Sequence, residues 1–355
     1  MDRCHYMKVL MIGHKNLFTK TVGPGGGTFV AELTSRLNKY VDLDYFSYSN
    51  VLFGAIKSPL LNYGSNYKGI DIIHDLMGAS LIIKKPPRPY IITLHDNFGI
   101  LSDFLVYPDG KGTFKSKLWL YLTKKGKSKN LEYADFIIAV SSNIKQNLID
   151  FFEIPKEKIF VINHGVNPVF KPRHGRSDKF IIGTLSDLTM RKDPIMLIDA
   201  FKIFVESLNK KEREKIELDI YGKQSNYIIQ KLKQRCIGYN IKFKGQISQS
   251  QKPYIYNKFN IFAFPSIEEG FGMPILEAQA SGVPVIINGN GIIAQEVQKY
   301  AIKAYTTEDM AEQFYSIFLH GYNRNSLNAA VKYARSFTWE KTAKRTLEVY
   351  KKVLE

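Results

Sequence analysis

A chain of 355 residues is long for one domain and comfortable for two, and its 45% apolar content supplies real cores. Two cysteines, Cys4 and Cys236, lie far apart without ligand-spaced histidines, which argues against a disulfide framework or a zinc site, and no unbroken apolar run reaches the roughly 18 residues of a membrane span. A net charge of +17 calls for anionic partners (nucleic acid, phospholipid or phosphorylated small molecules), or else reflects a lysine-rich surface.

In chain order, MDRCHYMKVLMIGHK turns polar too soon for a secretory leader, so a cytoplasmic chain is expected. KVLMI (8–12) reads as a buried strand. The glycine cluster GPGGGT (23–28) follows it and opens a helix that repeats apolar residues from Thr28 onward. LDYF (43–46), GIDIIH (69–74), PYIITLH (89–95), DFIIAV (135–140) and KIFVIN (158–163) suit strands. SSNIKQNLIDFF (141–152) suits a helix capped by Ser141 or Ser142. His95-Asp96 stands at a strand's carboxyl end, a better place for a working histidine than most; His74 ends another strand and is expected to line the same cleft.

The segment KGTFKSKLWLYLTKKGKSKN (111–130) holds seven lysines and no acid, with Phe114, Leu118, Tyr121 and Leu122 on one helical face. Two readings stay open: contact with an anionic membrane surface, or an ordinary helix with a solvated lysine face. NPVFKPRHGRSDK (167–179) reads as an interdomain linker. The pattern then restarts with strands at KFIIGTL (179–185), IELDIYG (216–222), IKFKG (241–245), NIFAFPS (260–266) and PVIIN (284–288), a helix at 193–208 with Pro194 in its first turn, and a terminal amphipathic helix at 338–354. Strands alternating with helices imply parallel sheets, so the expected fold is α/β: two Rossmann-like domains, 1–168 and 169–337, facing a central cleft.

The stretch SIEEGFGMPILEAQASGVP (266–284) concentrates the chemistry. Glu269 and Glu277 bracket a glycine-bearing loop that runs straight into a helix. Gly270 and Gly272 let the backbone approach a ligand and leave amides to grip an anion at the helix start. Carboxylates accept bonds from sugar hydroxyls. A sugar nucleotide offers both kinds of group.

Here the chain resembles the retaining family 4 glycosyltransferases of the GT-B fold. Their E-x7-E signature, (P)S-x-x-E-G-F-G-x-P-x-L-E-A-x-A-x-G-x-P-V, is met by PSIEEGFGMPILEAQASGVPV from Pro265 to Val285. The resemblance implies that Glu269 contacts the donor sugar and Glu277 the ribose, with Gly270, Phe271, Gly272 and Met273 along the donor. GTLSDLTMRKDP (183–194) is similar to a second motif of the family. It implies that Gly183 lies at the donor and that Arg191 and Lys192 neutralise its diphosphate; Thr184 stands where many members carry arginine. Gly26 and Gly27 correspond to the loop touching donor phosphate and acceptor, His95 to a histidine positioning the reacting sugar, and NHGVN (163–167) to a hinge. The terminal helix 338–355 is implied to return to the first domain.

The expected activity is retaining transfer of a hexosyl unit, such as glucose or mannose, from a UDP- or GDP-sugar to a glycan or lipid-linked acceptor. Front-face substitution, without metal or other cofactor, is the implied route. Expected partners are the nucleotide-diphosphate sugar, the acceptor and, through 111–130, the anionic inner face of a membrane. A GT-B sugar-nucleotide epimerase or phosphorylase is the alternative, and the E-x7-E loop argues against it. Binding to nucleic acid is not expected, since the basic residues are dispersed and no recognition motif occurs.

Overall fold

The computed structural model describes residues 7–14, 26–48, 67–78, 85–96, 128–173, 178–223 and 226–355. Most of the lysine-rich 111–130 segment and the first residues of GPGGGT lie outside them. Among the described residues, no helix is long and apolar enough to cross a membrane.

The chain divides into two compact units, Met1–Gly165 with Thr338–Glu355, and Val166–Phe337. The first is built on a six-stranded parallel sheet of order β2-β1-β3-β4-β5-β6. Its strands are β1 (Lys8–His14), β2 (Asp42–Tyr48), β3 (Ile72–Asp75), β4 (Tyr90–Leu94), β5 (Phe136–Ala139) and β6 (Ile159–Val161). Every residue of β3 and β4 is buried, so neither strand alternates between core and solvent, and their polar members His74, Asp75 and Thr93 are buried with the apolar ones. Helix α1 (Gly26–Leu37) follows β1, and α2 (Ser142–Phe152) follows β5, with Ser141 Oγ accepting from Ile144 N as its cap.

Unit 2 carries a second parallel sheet of order β12-β11-β10-β7-β8-β9. Its strands are β7 (Phe180–Leu185), β8 (Ile216–Tyr221), β9 (Ile241–Gly245), β10 (Ile261–Phe264), β11 (Val285–Asn288) and β12 (Ile302–Ala304). Between them run α3 (Pro194–Glu206), α4 (Asn226–Arg235), α5 (Lys252–Lys258), α6 (Met273–Ala280), α7 (Thr307–His320) and α8 (Arg324–Ala334). One face of β8, through Ile216, Leu218 and Ile220, joins the core with Phe201, Phe204 and Phe314 of α3 and α7. The chain then returns to unit 1 as α9 (Trp339–Leu354), capped by Thr338.

Two details differ from the expectations above. His74 does not line an opening: it is fully buried, with Nδ1 sharing a 2.6 Å hydrogen bond with the Tyr350 hydroxyl and Nε2 a 2.7 Å bond with Thr93 Oγ1. Burial, with a smaller push from His95, lowers its imidazole to about 3, so it is a neutral fastener between β3, β4 and α9. The stretch expected as a linker from 167 is wound onto unit 2 as far as Arg173. Phe170 packs on Tyr256 with ring centroids 5.8 Å apart, Asn257 Nδ2 donates to Lys171 O, and Arg173 N donates to Asn257 Oδ1.

The other face of β8 carries two buried acids, Glu217 and Asp219. Glu217 meets Lys242 at 2.6 Å and Lys179 at 3.1 Å; Asp219 meets Lys244 at 3.4 Å and accepts from the Tyr221 hydroxyl. Burial opposes ionisation of both. Hydrogen bonds from Lys242, Asp219 and Lys179 overcome it at Glu217 and hold that acid near 2. At Asp219 burial and the adjoining Glu217 prevail and raise the acid to about 6. An acid whose folded pKa is raised stabilises the fold below its ordinary value, and that contribution is lost as pH climbs through about 6. Asp219→Asn is therefore expected to raise the melting temperature at pH about 7.5, with the gain vanishing toward pH about 4. Lys244 keeps Glu217 as a partner at 3.6 Å in that variant. Equal melting temperatures at both pH values would refute the assignment.

Candidate active site

The loop after β10 is held from three sides by main-chain bonds. Ile267 N donates to Arg191 O, Ile292 N to Ile267 O and Glu269 N to Ile292 O, each at 2.8 Å. Only glycine serves at 291, because a Cβ there would stand 2.5 Å from Ser266 O. The turn Met190–Lys192 before α3 thus becomes one body with the 266–269 loop.

That body gathers the charge. Lys192 Nζ is hydrogen-bonded to Glu269 Oε1 and lies 5.1 Å from the Phe264 ring centroid. Arg191 Nη1 donates to Glu268 O at 2.5 Å and stands 3.9 Å from Glu269 Oε2. Ser266 Oγ makes its shortest contact, 2.6 Å, with Glu269 Oε1. Burial pushes the Lys192 ammonium down, Glu269 works against that, and Arg191 adds to the lowering. The turn ends at Asp193, a non-glycine residue in the left-handed region (φ 42°) that caps α3 by accepting from Met196 N. Two cations therefore sit at a helix start where the dipole disfavours them, held there by a carboxylate.

Helix α6 has Gly272 as its N-cap, where a φ of 95° and the 3.2 Å that an added Cβ would leave to Ile275 Cδ1 both favour glycine. Gly270 and the buried Phe271 precede it, with Phe271 resting 6.2 Å from the Phe337 ring; Met273 is its first residue. Glu277 lies one turn in and is 5% exposed. It accepts from the Tyr256 hydroxyl at 2.9 Å and meets Lys252 Nζ at 3.4 Å, so α5 holds its carboxylate. Burial and then Glu277 push the Tyr256 hydroxyl well above its ordinary value, keeping it a donor.

Gly183 lies within β7, where an added Cβ would stand 2.2 Å from the Phe259 ring; close packing accounts for the glycine there. Lys252, Tyr256 and Gly291 did not stand out in the sequence, and Ser266 entered only as a letter of the signature, without a role. Lys252 and Tyr256 are spaced i, i+4, which puts both on one face of a helix, and Gly291 ends the turn-like NGNG.

In unit 1, Gly26 and Gly27 open α1. His95 follows β4, and its Nε2 donates to Leu76 O at 2.8 Å. Phe29 of α1 meets the His95 ring edge-on at 4.5 Å, and the His164 ring lies 5.2 Å away. His164 stacks in turn on Trp339 at 5.7 Å. Among the described residues, no group of three or more His, Cys, Asp or Glu side chains is placed to hold a metal ion.

Two parallel Rossmann-like sheets, with a basic pair and an acid-bearing glycine loop on the second, define the class: the chain has the GT-B fold of glycosyltransferases. Residues 167–352 match the family model of glycosyl transferases group 1 and residues 22–170 that of glycosyltransferase family 4; the chain belongs to the glycosyl transferases group 1. It is similar to an uncharacterized glycosyltransferase of Methanocaldococcus jannaschii, 26% identical over 239 residues, covering 62% of this chain and 60% of that relative's length. Among solved structures it is similar to a sucrose-phosphate synthase from Thermosynechococcus elongatus, with TM-score 0.76, 18% identity and coverage of 98% and 99% of the two chains. Anabaena HepE, solved in complex with UDP-glucose, gives TM-score 0.68 and 16% identity over 98% of this chain and all of that one.

Proposed function

We propose that the chain moves a hexosyl unit from a nucleoside-diphosphate sugar to a glycan or lipid-linked acceptor, with retention of configuration. The observation that carries this reading is the Arg191–Lys192 pair held against Glu269 beside the starts of α3 and α6. A nucleoside diphosphate gains negative charge as it departs, and two fixed cations with helix-start amides stabilise that charge. In the free enzyme Glu269 is their counterion. When the diphosphate takes over the cations, Glu269 is released to accept from a hydroxyl of the donor sugar. Glu277 serves the ribose, and Gly270, Phe271, Gly272 and Met273 lie along the donor. The family resemblance gives His95 a role toward the reacting sugar, and Gly26 and Gly27 a role toward the donor phosphate and the acceptor.

The reaction is front-face substitution. The bond from the anomeric carbon to the phosphate oxygen breaks as the bond to the acceptor oxygen forms on the same side, and the acceptor's proton passes to the departing phosphate. A donor of the UDP-hexose kind agrees with the ligand bound by HepE. Presentation of the acceptor at an anionic membrane surface agrees with the seven lysines of 111–130.

A thermal-shift series with UDP-, GDP- and ADP-sugars tests the reading, since a ligand of the folded state raises apparent stability with its affinity. One base class is expected to raise the melting temperature, and Lys192→Ala to abolish the rise. No response to any sugar nucleotide would overturn the proposal; turnover of the donor without acceptor would favour an epimerase. Arg191 and Lys192 also supply the charge that a metal supplies elsewhere, so transfer is expected to persist in EDTA. Activity abolished by EDTA and restored by magnesium or manganese would contradict this.

A further inference from the structure

We infer that unit 1 carries a second anion site, a groove at the edge of its sheet opposite His95 that binds a phosphate-bearing ligand. The groove has a volume of about 440 Å³ and lies between the 85–89 segment, the start of β5 and the last turn of α9. Pro89 and Asp135 lead into β4 and β5, so this is the amino-terminal edge of the strands. His95 lies beyond the other end of β4, whose five residues at about 3.3 Å each span roughly 16 Å. Substrates of doubly wound sheets sit at the carboxyl edge, so the transferase reading makes no use of this groove.

Its charge is unbalanced. Lys85, Arg88 and Lys352 line it against a single acid, Asp135. That acid is already engaged on both oxygens, by Lys85 Nζ at 2.9 Å and by Tyr90 N at 2.8 Å. Lys352 is held 5.1 Å from the Phe160 ring centroid, and Phe160 packs edge-on against Phe136 of the groove wall. Among the described residues neither Arg88 nor Lys352 has a carboxylate within ion-pair distance. The last turn of α9 brings partial negative charge, and Lys351 and Lys352 in that turn offset it. Three cations against one acid leave a net positive lining among the described residues, which suits a phosphate monoester with its charge of about −1.5 to −2.

The geometry suits such a group. A guanidinium presents a planar fork of donors to phosphate oxygens, while the lysine acts as a point charge. Arg88 stands between Pro87 and Pro89, which fix the main chain on either side and reduce the ordering required on binding. Prolines also lack amide donors, so recognition falls to the side chains. The ligand is a phosphate ester, either free or as a lipid headgroup.

The test follows the arginine Nε–Hε resonances of the 355-residue chain, with Arg88 assigned by its loss in R88Q. Glycerol 3-phosphate is titrated in one arm. In the other, co-sedimentation is compared on phosphatidylglycerol and phosphatidylcholine vesicles. Arg88 and Lys352 are both exposed, so neither substitution touches the core. A saturable Arg88 shift, weakened about tenfold or more in K352Q by loss of a charged contact, assigns a free ester. Binding to phosphatidylglycerol that falls in the R88Q/K352Q double variant assigns the headgroup. A flat Arg88 signal together with equal vesicle binding by wild type and double variant overturns the site.

Discussion

Lys192→Ala and Glu269→Ala are each expected to lower kcat by about 100-fold or more at saturating donor, the typical loss when one preorganised electrostatic contact is removed. The two variants fail differently. Without Lys192, Glu269 keeps Ser266 Oγ at 2.6 Å and Arg191 at 3.9 Å, so its carboxylate stays in place and the missing quantity is positive charge at the diphosphate. Without Glu269, an ammonium that burial already pushes down loses the group that opposes the fall. Its protonated fraction then declines at lower pH than in the wild type. Glu269→Ala is accordingly expected to lose donor affinity more steeply on the alkaline side, a dependence that Lys192→Ala cannot show. Steady-state kinetics across pH check both points. Near-normal turnover by either variant removes that residue from the site.

Trp339→Ala is expected to cost about 3–5 kcal/mol, the usual range for truncating a buried large aromatic. The side chain is 1% exposed, stacks on His164 and reaches the Phe29 ring at 6.2 Å. It is also the first residue of α9, and Gly165 lies so close that a Cβ there would stand 2.2 Å from Trp339 N. The site cannot collapse far to fill the void, which places the loss at the upper end of the range. For a domain of this size the melting temperature falls by roughly 10 °C. Calorimetry should show the loss in the transition of unit 1 while that of unit 2 stays put. A drop below about 1 kcal/mol would mean that α9 is held by its Tyr350 end alone.

What could be read from the sequence was local. The strands YIITL and FIIA declare themselves by short runs of apolar, β-branched and aromatic residues without alternation, because burial on both faces removes the need for it. The loop at 266–273 declares itself because its glycines, its acid and the following helix start are neighbours in sequence. What could not be read was pairing across distance. His74 finds Tyr350 across 276 positions, and Lys192 finds Glu269 across 77. Nothing near Glu277 announces that Lys252 and Tyr256 will hold it. Gly183 reads as part of a ligand motif, and nothing around it in sequence announces that Phe259 also packs over it. The strand Ile302–Ala304 is too short to carry any period.

The return of α9 to unit 1 sets an order on biosynthesis. A ribosome delivers β1 to β6 first, yet Tyr350 and Trp339, which fasten His74 and His164, emerge only after all of Val166–Phe337 has been made. Domains generally fold as they leave the ribosome, amino-terminal first. Here the amino-terminal sheet must wait for its last helix while the continuous unit behind it can fold at once. The nascent chain is therefore most exposed to misassembly and to chaperone capture during that wait, and the arrival of the closing helix ends it.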